Sequence, residues 1–343
     1  MNDKLDKSNL KQVILDTSKQ FQAGFNAADN ITPNIDSGIK KEKFDSLIIC
    51  GLGGSAMPGY LLKSLPQVNF LVQNHLNYGL PRQRTSNPLI FVSSFSGSTE
   101  ETLSSYKQAK KESLKIITFS NGGTLYQTSQ NDNIPAVNYR VNQPGFQPRW
   151  ALPTSFSAMT KILENLGLIT GAVKSLQETS HFLKTLDQEE IQKQAQIIVK
   201  KIKTKIPIYY ADYSLRFTAL INKIKINENS KFPAFCNYYP ELNHNEYNGF
   251  LNGDPEKFII LSLDNPGSLP KNQKRMRLTN EILQTMNYEI INIPIKGQNR
   301  AERIFHALIF GDWISYYLAL SLNQDPSPVE LVEKLKQKLK NQT

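Results

Sequence analysis

One construction occurs twice near the start of this chain. The apolar run "SLIIC" passes into "GLGGSAMPGY", and "PLIFV" passes into "SSFSGSTEETL". In each, a strand-length apolar segment meets the start of a helix through glycine or hydroxyl residues. Strands that are apolar on both faces have to be covered on both faces, which is the condition of a parallel sheet between helices. The alternation continues. "NFLVQN", "LKIITFSNGG" and "AVNYRV" read as further strands, and "ALPTSFSAMTKILENLGLI" as the helix leaving this first unit. Beyond the polar helical stretch "KSLQETSHFLKTLDQEEIQKQAQIIVKKIKTK", the strands "IPIYYADY", "KFIILSL" and "EIINIPIK" alternate with the helices "SLRFTALINKIKINENS" and "PKNQKRMRLTNEILQTMN". The pattern predicts an α/β protein with two doubly wound domains, each a mainly parallel sheet flanked by helices. Residues 1–160, opening with a helix in 3–28, form the first, and residues 161–343, closing with the helix of "DPSPVELVEKLKQKLKNQT", form the second. A length of 343 residues suits two domains.

Several function classes recede on composition. The formal charge is +10, so a nucleic-acid partner has to be weighed. The lysines are scattered, however, and the short clusters (Lys40, Lys41, Lys43; Lys200, Lys201, Lys203, Lys205; Lys334, Lys336, Lys338, Lys340) read as solvated faces. The surplus suits a small anion instead. The most apolar segment, Ile304 to Leu322, is interrupted by His306, Gly311 and Asp312 and reads as a buried helix, with no membrane partner implied. The polar start "MNDKLDKSNLKQ" lacks the apolar stretch of a secretory signal, and the two cysteines, Cys50 and Cys236, read as reduced thiols of a cytoplasmic protein. Apart from His244 near Glu241 and Glu246, no His/Cys/carboxylate cluster has metal-ligand spacing. Neither a metal nor a nucleotide cofactor is expected.

The two turns carry the chemistry. Gly51, Gly53 and Gly54 allow close backbone approach, and Ser55 falls near a helix start, where free N–H groups favour an anion. "GLGGSA" is neither a dinucleotide fingerprint nor a P-loop, and an ordinary tight turn would explain it equally well. In the second turn, Ser94, Ser96 and Thr99 are set to point hydroxyls into one space above the sheet. Ser98 and Glu101 have capping-box spacing, which accounts for part of the serine content but not all of it. A phosphate is rich in acceptors, and a nest of hydroxyls and helix-terminal N–H groups satisfies it.

"GLGGS" followed by "SFSGSTEET" resembles the sugar isomerase (SIS) domain. With "FQPRWALP", "NENSK", "PELNHNEYNGF" and "DPSPVELVEKLK" in that order, the chain is similar, from about residue 45 to 338, to the bifunctional phosphoglucose/phosphomannose isomerases of that superfamily. The resemblance implies interconversion of glucose 6-phosphate or mannose 6-phosphate with fructose 6-phosphate through a cis-enediol. It implies that Gly53, Gly54, Ser55, Ser94, Ser96 and Thr99 hold the phosphate and sugar. It further implies that Glu228 is the base, that Arg149 lies beside the reacting carbons, and that His244 opens the ring from the partner subunit of a homodimer. Lys334 in the last helix assists, with Lys336 as the fallback.

The residue types suit that chemistry. One carboxylate can take and return the proton that moves between C1 and C2. A guanidinium stays charged beside the developing enediolate, and an imidazole titrates where ring opening needs it. The bland readings are a helix-end glutamate for Glu228 and a surface arginine for Arg149. His75 and His181 read as surface or turn positions, and His306 as a core histidine.

The chain departs from the family's pattern at Ser98, where asparagine is frequent, and at "WALPTSF", where a glycine-containing run is usual. It departs again at Ser327, where threonine is common and is associated with reaction of the C2 epimer. A non-catalytic module that binds a sugar phosphate and regulates a partner is the alternative, but it would have no use for Glu228, His244 and Lys334 together.

Overall fold

The computed structural model describes residues 3–32, 44–202 and 204–341; Lys40, Lys41, Lys43 and Lys203 of the clusters above lie outside them. Two short N-terminal helices, α1 (Leu10–Leu15) and α2 (Thr17–Ala28), precede β1 (Ser46–Cys50). Then come α3 (Met57–Leu62), β2 (Leu71–His75), β3 (Pro88–Ser93), α4 (Glu100–Lys111), β4 (Lys115–Ser120), α5 (Gly123–Asn131) and β5 (Ala136–Asn138). Three helices follow, α6 (Leu152–Asn165), α7 (Ala172–Lys184) and α8 (Gln188–Ile202). The second series is β6 (Ile206–Asp212), α9 (Arg216–Asn229), β7 (Phe235–Tyr239), β8 (Phe258–Asp264), α10 (Pro270–Thr285) and β9 (Glu289–Pro294). The long α11 (Arg300–Ser321) and α12 (Glu330–Lys340) close the chain.

The strands form two parallel sheets, ordered β2-β1-β3-β4-β5 and β7-β6-β8-β9. Every residue of β1 and β3 is buried, as their continuous apolar runs require. In both sheets the order reverses at the centre, between β1 and β3 and between β6 and β8. At such a switch point the chain leaves neighbouring strands in opposite directions and opens a crevice at their carboxyl ends. The two turns singled out in the sequence flank the first crevice.

One hydrophobic core runs through both halves, with Phe21 of α2, Phe156 of α6 and Phe305 of α11 at its centre. Phe305 packs on Phe21 and Phe156 at ring separations of 4.7 and 5.7 Å. α11 is long and apolar enough to cross a membrane, but its apolar window is 89% buried inside the protein. Asn299 and Glu302 form a reciprocal capping box at its start.

The structure differs from the sequence reading in places. β7 and α5 are additions to it, because "FCNYY" is short and "GTLYQTSQN" carries few apolar residues. The helical stretch at 3–28 becomes a 3-10 turn (Asp3–Leu5) and two α-helices, and the stretch at 174–205 gives α7 and α8. Residue 160 lies within α6. Pro328 stands just before α12. The capping box expected from Ser98 and Glu101 is not formed. Thr99 is the N-cap of α4 and makes no side-chain cap, because the hydroxyls of this turn bond to one another.

Candidate active site

The glycine turn (Gly51–Ser55) and the serine turn (Ser94–Thr99) are tied together across the first crevice. The Phe95 N–H donates to Ser55 Oγ at 3.0 Å. Ser94 donates its hydroxyl to Thr99 Oγ1 at 2.9 Å, and Ser96 Oγ accepts from Ser98 Oγ at 3.3 Å. Ser55, Ser96 and Thr99 each accept in these bonds, so each keeps its own O–H to donate. Phosphate oxygens only accept, and three free hydroxyl donors at a helix start match them. Ser94 is buried and spends its hydrogen on Thr99; it shapes the loop. Gly97 adopts φ +68° and lies so close to Gly122 that a Cβ would fall 2.0 Å from the Gly122 carbonyl oxygen.

Gly54 fixes the next layer. A Cβ on it would lie 2.5 Å from the Arg149 backbone nitrogen, so only glycine allows the turn Pro148–Trp150 to settle against the glycine turn. Aromatic contacts support that turn: Phe95 stacks on Phe146 at 5.8 Å, and Phe146 meets Trp150 edge-on at 5.6 Å.

Arg149 is 1% exposed. Its Nε donates to Asn229 Oδ1 at 2.6 Å. Nη1 donates to Glu228 Oε2 at 3.0 Å and to Gln147 Oε1 at 3.3 Å. Nη2 donates to the carbonyls of Pro326 and Ser327 at 2.8 and 2.9 Å. All five guanidinium donors are therefore engaged. Burial lowers the Arg149 pKa to about 10, with Glu228 acting in the opposite direction, so the group stays charged at neutral pH. This joins the ends of three distant segments: the turn at 148–150, the end of α9, and the Asp325–Ser327 turn.

Two further groups complete this knot, and sequence reasoning did not assign them. Asn229, buried, takes Arg149 on its oxygen and donates its amide to Ser315 Oγ of α11 at 2.9 Å. Behind Arg149, Lys225 pairs with Asp312 at 2.6 Å. Burial raises the Asp312 carboxyl, opposed by Lys225 and then Arg149. Asn229 was visible only as part of "NENSK". For Lys225 and Asp312, the signal was a charge on the apolar helical pattern. Lys231 donates to the carbonyls of Asn229 (3.0 Å) and Asp325, which pins the Asp325–Ser327 turn. Ser327 is buried, and its hydroxyl has no partner.

The remaining candidates stand apart. His244 is exposed in the short helical turn Glu241–His244 after β7. Lys334 is exposed on α12, whose stripe of Leu331, Leu335 and Leu339 is 81, 58 and 52% exposed. Neither makes a hydrogen bond or ion pair with the Arg149–Glu228 group. Lys336, the other candidate, is paired with Glu333 at 2.7 Å. His306 is buried as expected, and burial lowers its pKa to about 4. Among the described residues, no group of three or more His, Cys, Asp or Glu side chains converges as a metal site. Cys50 and Cys236 are free thiols.

Known proteins resemble this chain in sequence and in fold. Residues 191–339 match the bacterial phospho-glucose isomerase C-terminal SIS domain. The chain is 33% identical over 339 residues to the bifunctional phosphoglucose/phosphomannose isomerase of Caldicellulosiruptor bescii, covering 95% of this chain and 97% of that one. It is 30% identical over 310 residues to the protein of the same name from Aquifex aeolicus, covering 87% and 91%. In fold it is similar to the tagatose-6-phosphate ketose/aldose isomerase of Escherichia coli, with a TM-score of 0.67 at 16% identity over 93% of this chain and 94% of that one.

Proposed function

This chain belongs to the bifunctional phosphoglucose/phosphomannose isomerase family, and from that membership we propose that it interconverts glucose 6-phosphate, and mannose 6-phosphate, with fructose 6-phosphate. The observation that carries the reading is the 3.0 Å contact of buried Arg149 with Glu228, directly behind a turn lined with free hydroxyl donors. Ser55, Ser96 and Thr99, with the backbone of Gly53 and Gly54 and the start of α4, hold the phosphate. Glu228 offers one oxygen to Arg149 and keeps Oε1 for the substrate. That oxygen takes the C2 proton of the aldose and returns it to C1, and the cis-enediol lies between the two transfers. Arg149 stabilises the enediolate as a fixed charge. Its longest bond, to Gln147, is the one a substrate oxygen displaces. The unpartnered Ser327 hydroxyl, on the turn that Arg149 grips, faces the C2 region and admits the mannose epimer.

Ring opening falls to His244 of a second copy in a homodimer, assisted by Lys334. Both are exposed and uncommitted in the single chain, as residues that complete a site on assembly would be. The setting is cytoplasmic, and the chemistry uses protein side chains alone.

A coupled assay with all three sugar phosphates tests this. The wild type should convert glucose 6-phosphate and mannose 6-phosphate. Glu228→Gln should lose roughly 10³-fold in kcat while still binding fructose 6-phosphate. Tight binding by the wild type without any conversion would overturn the proposal in favour of a non-catalytic sugar-phosphate module.

A further inference from the structure

The second sheet has the same central reversal as the first, so it opens an equivalent crevice at the carboxyl ends of β6 and β8. Its lining differs. The loops themselves are closed by a clip of hydrogen bonds. Asn265 donates to Asp212 Oδ1 at 2.8 Å and to Ser214 Oγ at 2.9 Å. The Ser214 N–H donates to Asp212 Oδ2 at 2.9 Å. In the same loop, the Ser268 hydroxyl is buried without a partner.

Around this clip stand four cations, Lys63, Arg216, Arg300 and Arg303, all half-buried. Lys63 and Arg216 both lie on the Phe217 ring, at 4.9 and 4.2 Å from its centre. Arg300 donates to the Ser64 carbonyl at 3.3 Å, next to Lys63. The Arg303 guanidinium lies against Gly267, where a Cβ would be 2.5 Å from Cζ.

None of the four is in an ion pair among the described residues. Other cations withdrawn from solvent do find carboxylates: buried Lys225 has Asp312, and half-buried Lys205 has Glu289. Here the nearby acids are already used. Asp212 is inside the clip, and Glu302 accepts from the Gln298 N–H and completes the α11 capping box. Arg216, Arg300 and Arg303 bond backbone carbonyls through Nη1, and Nε and Nη2 of each have no hydrogen-bond partner among the described residues. Burial and mutual repulsion lower the pKa of Lys63, Arg216 and Arg303.

A second conflict points the same way. Arg216 is the first residue of α9 and Arg300 the first of α11. The amino end of a helix is its positive end and favours acids. Glu302 answers that field at α11, but the first turn of α9 carries no acid, and Arg216 there, beside two further arginines and a lysine, opposes it. Such local conflicts mark places where something outside the chain completes the balance.

We propose that this cluster at the switch point of the second sheet is a second anion site, which binds free phosphate or the phosphate of a small monoester. The unused Nε and Nη2 groups, the Lys63 ammonium and the start of α9 supply the donors that a dianion needs. The site lies apart from the isomerase centre: Arg216 and Glu228 sit at opposite ends of α9, about 18 Å apart at the helical rise. It therefore does not depend on which reaction the first crevice performs. Lys63 and the Arg300–Ser64 bond reach across from the first half of the chain, so an anion here also ties the two halves together.

The test is calorimetric titration of the full chain with inorganic phosphate and, separately, with glucose 6-phosphate. The wild type should bind two phosphates per chain. The double variant Arg216→Gln, Arg300→Gln should lose one, weakened at least about tenfold, with isomerase turnover unchanged. If glucose 6-phosphate also fills the second site, the ligand is a monoester; if only inorganic phosphate does, it is free phosphate. One phosphate per chain in the wild type, or two of undiminished affinity in the double variant, would overturn the proposal. Should the double variant fail to fold by circular dichroism, Lys63→Gln, which breaks no hydrogen bond, should weaken the second phosphate about threefold. No change there would also overturn it.

Discussion

The end of α9 and the exposed pair formed by His244 and α12 carry two parts of one proposed catalytic set, and they are built in opposite ways. At the end of α9, Glu228 meets a guanidinium whose five donors are all taken, inside a knot that closes three segments of one chain. His244 and Lys334 have neither burial nor partners. The contrast separates what one chain pre-organises from what, in the proposed dimer, a second copy would supply. The acid–base and charge elements must be rigid before substrate arrives, because electrostatic stabilisation depends on dipoles and charges that do not reorganise. A proton shuttle for ring opening only has to reach the sugar, and it can come from another copy.

The contrast can be broken from the rigid side first. Arg149→Ala should cost roughly 3 kcal/mol of stability, because it leaves the Pro326 and Ser327 carbonyls without their donor in a buried setting and takes the counter-charge from half-buried Glu228, and it should also abolish turnover. A urea melt and the coupled assay check both. His244→Ala should lose about 10²-fold or more in kcat with an unchanged melt. Mixing His244→Ala with Glu228→Gln subunits then sharpens the comparison. If the imidazole crosses between copies, each mixed dimer holds one intact site of two, and an equimolar mixture recovers about a quarter of wild-type activity. If it acts within its own chain, nothing returns.

Smaller effects follow. His306 is the buried counterpart of His244. Its folded pKa is about 4, below the ordinary histidine value of about 6.5. The unfolded chain therefore binds the extra proton first. The stability contribution is complete above about pH 6.5 and is lost as pH falls towards 4, by up to roughly 3 kcal/mol at the acid limit. His306→Leu should flatten that part of the stability profile, whereas His244→Ala should leave it unchanged. Least of all, Ser327→Ala should alter stability by less than about 0.5 kcal/mol, since its hydroxyl has no partner to lose. Its cost should appear in the ratio of mannose to glucose 6-phosphate turnover.

Much of this protein is legible in short windows of sequence. Doubly buried strands show as unbroken apolar runs, and strand-to-helix turns show in their glycines and hydroxyls, because both depend on residues a few positions apart. Hence β1, β3, β6, β8 and the two loops of the first crevice can be read from their own residues. β7 and α5 cannot, since "FCNYY" and "GTLYQTSQN" owe their conformation to neighbours already in place. The capping box at Ser98 fails for the same reason: Thr99 faces Ser94 and takes its hydrogen instead.

The tertiary structure alone decided which charges meet. Arg149 and Glu228 are 79 residues apart, and Arg149 and the Ser327 carbonyl 178. No local spacing relates them. The close approach of Gly54 to the Arg149 backbone sets their distance, as does the convergence of α9, α11 and the Asp325–Ser327 turn. Asn229, Lys225 and Asp312 gained their roles in the same way. A buried ion or amide is tolerable only where partners from several elements satisfy it at once, and packing settles where those elements cross.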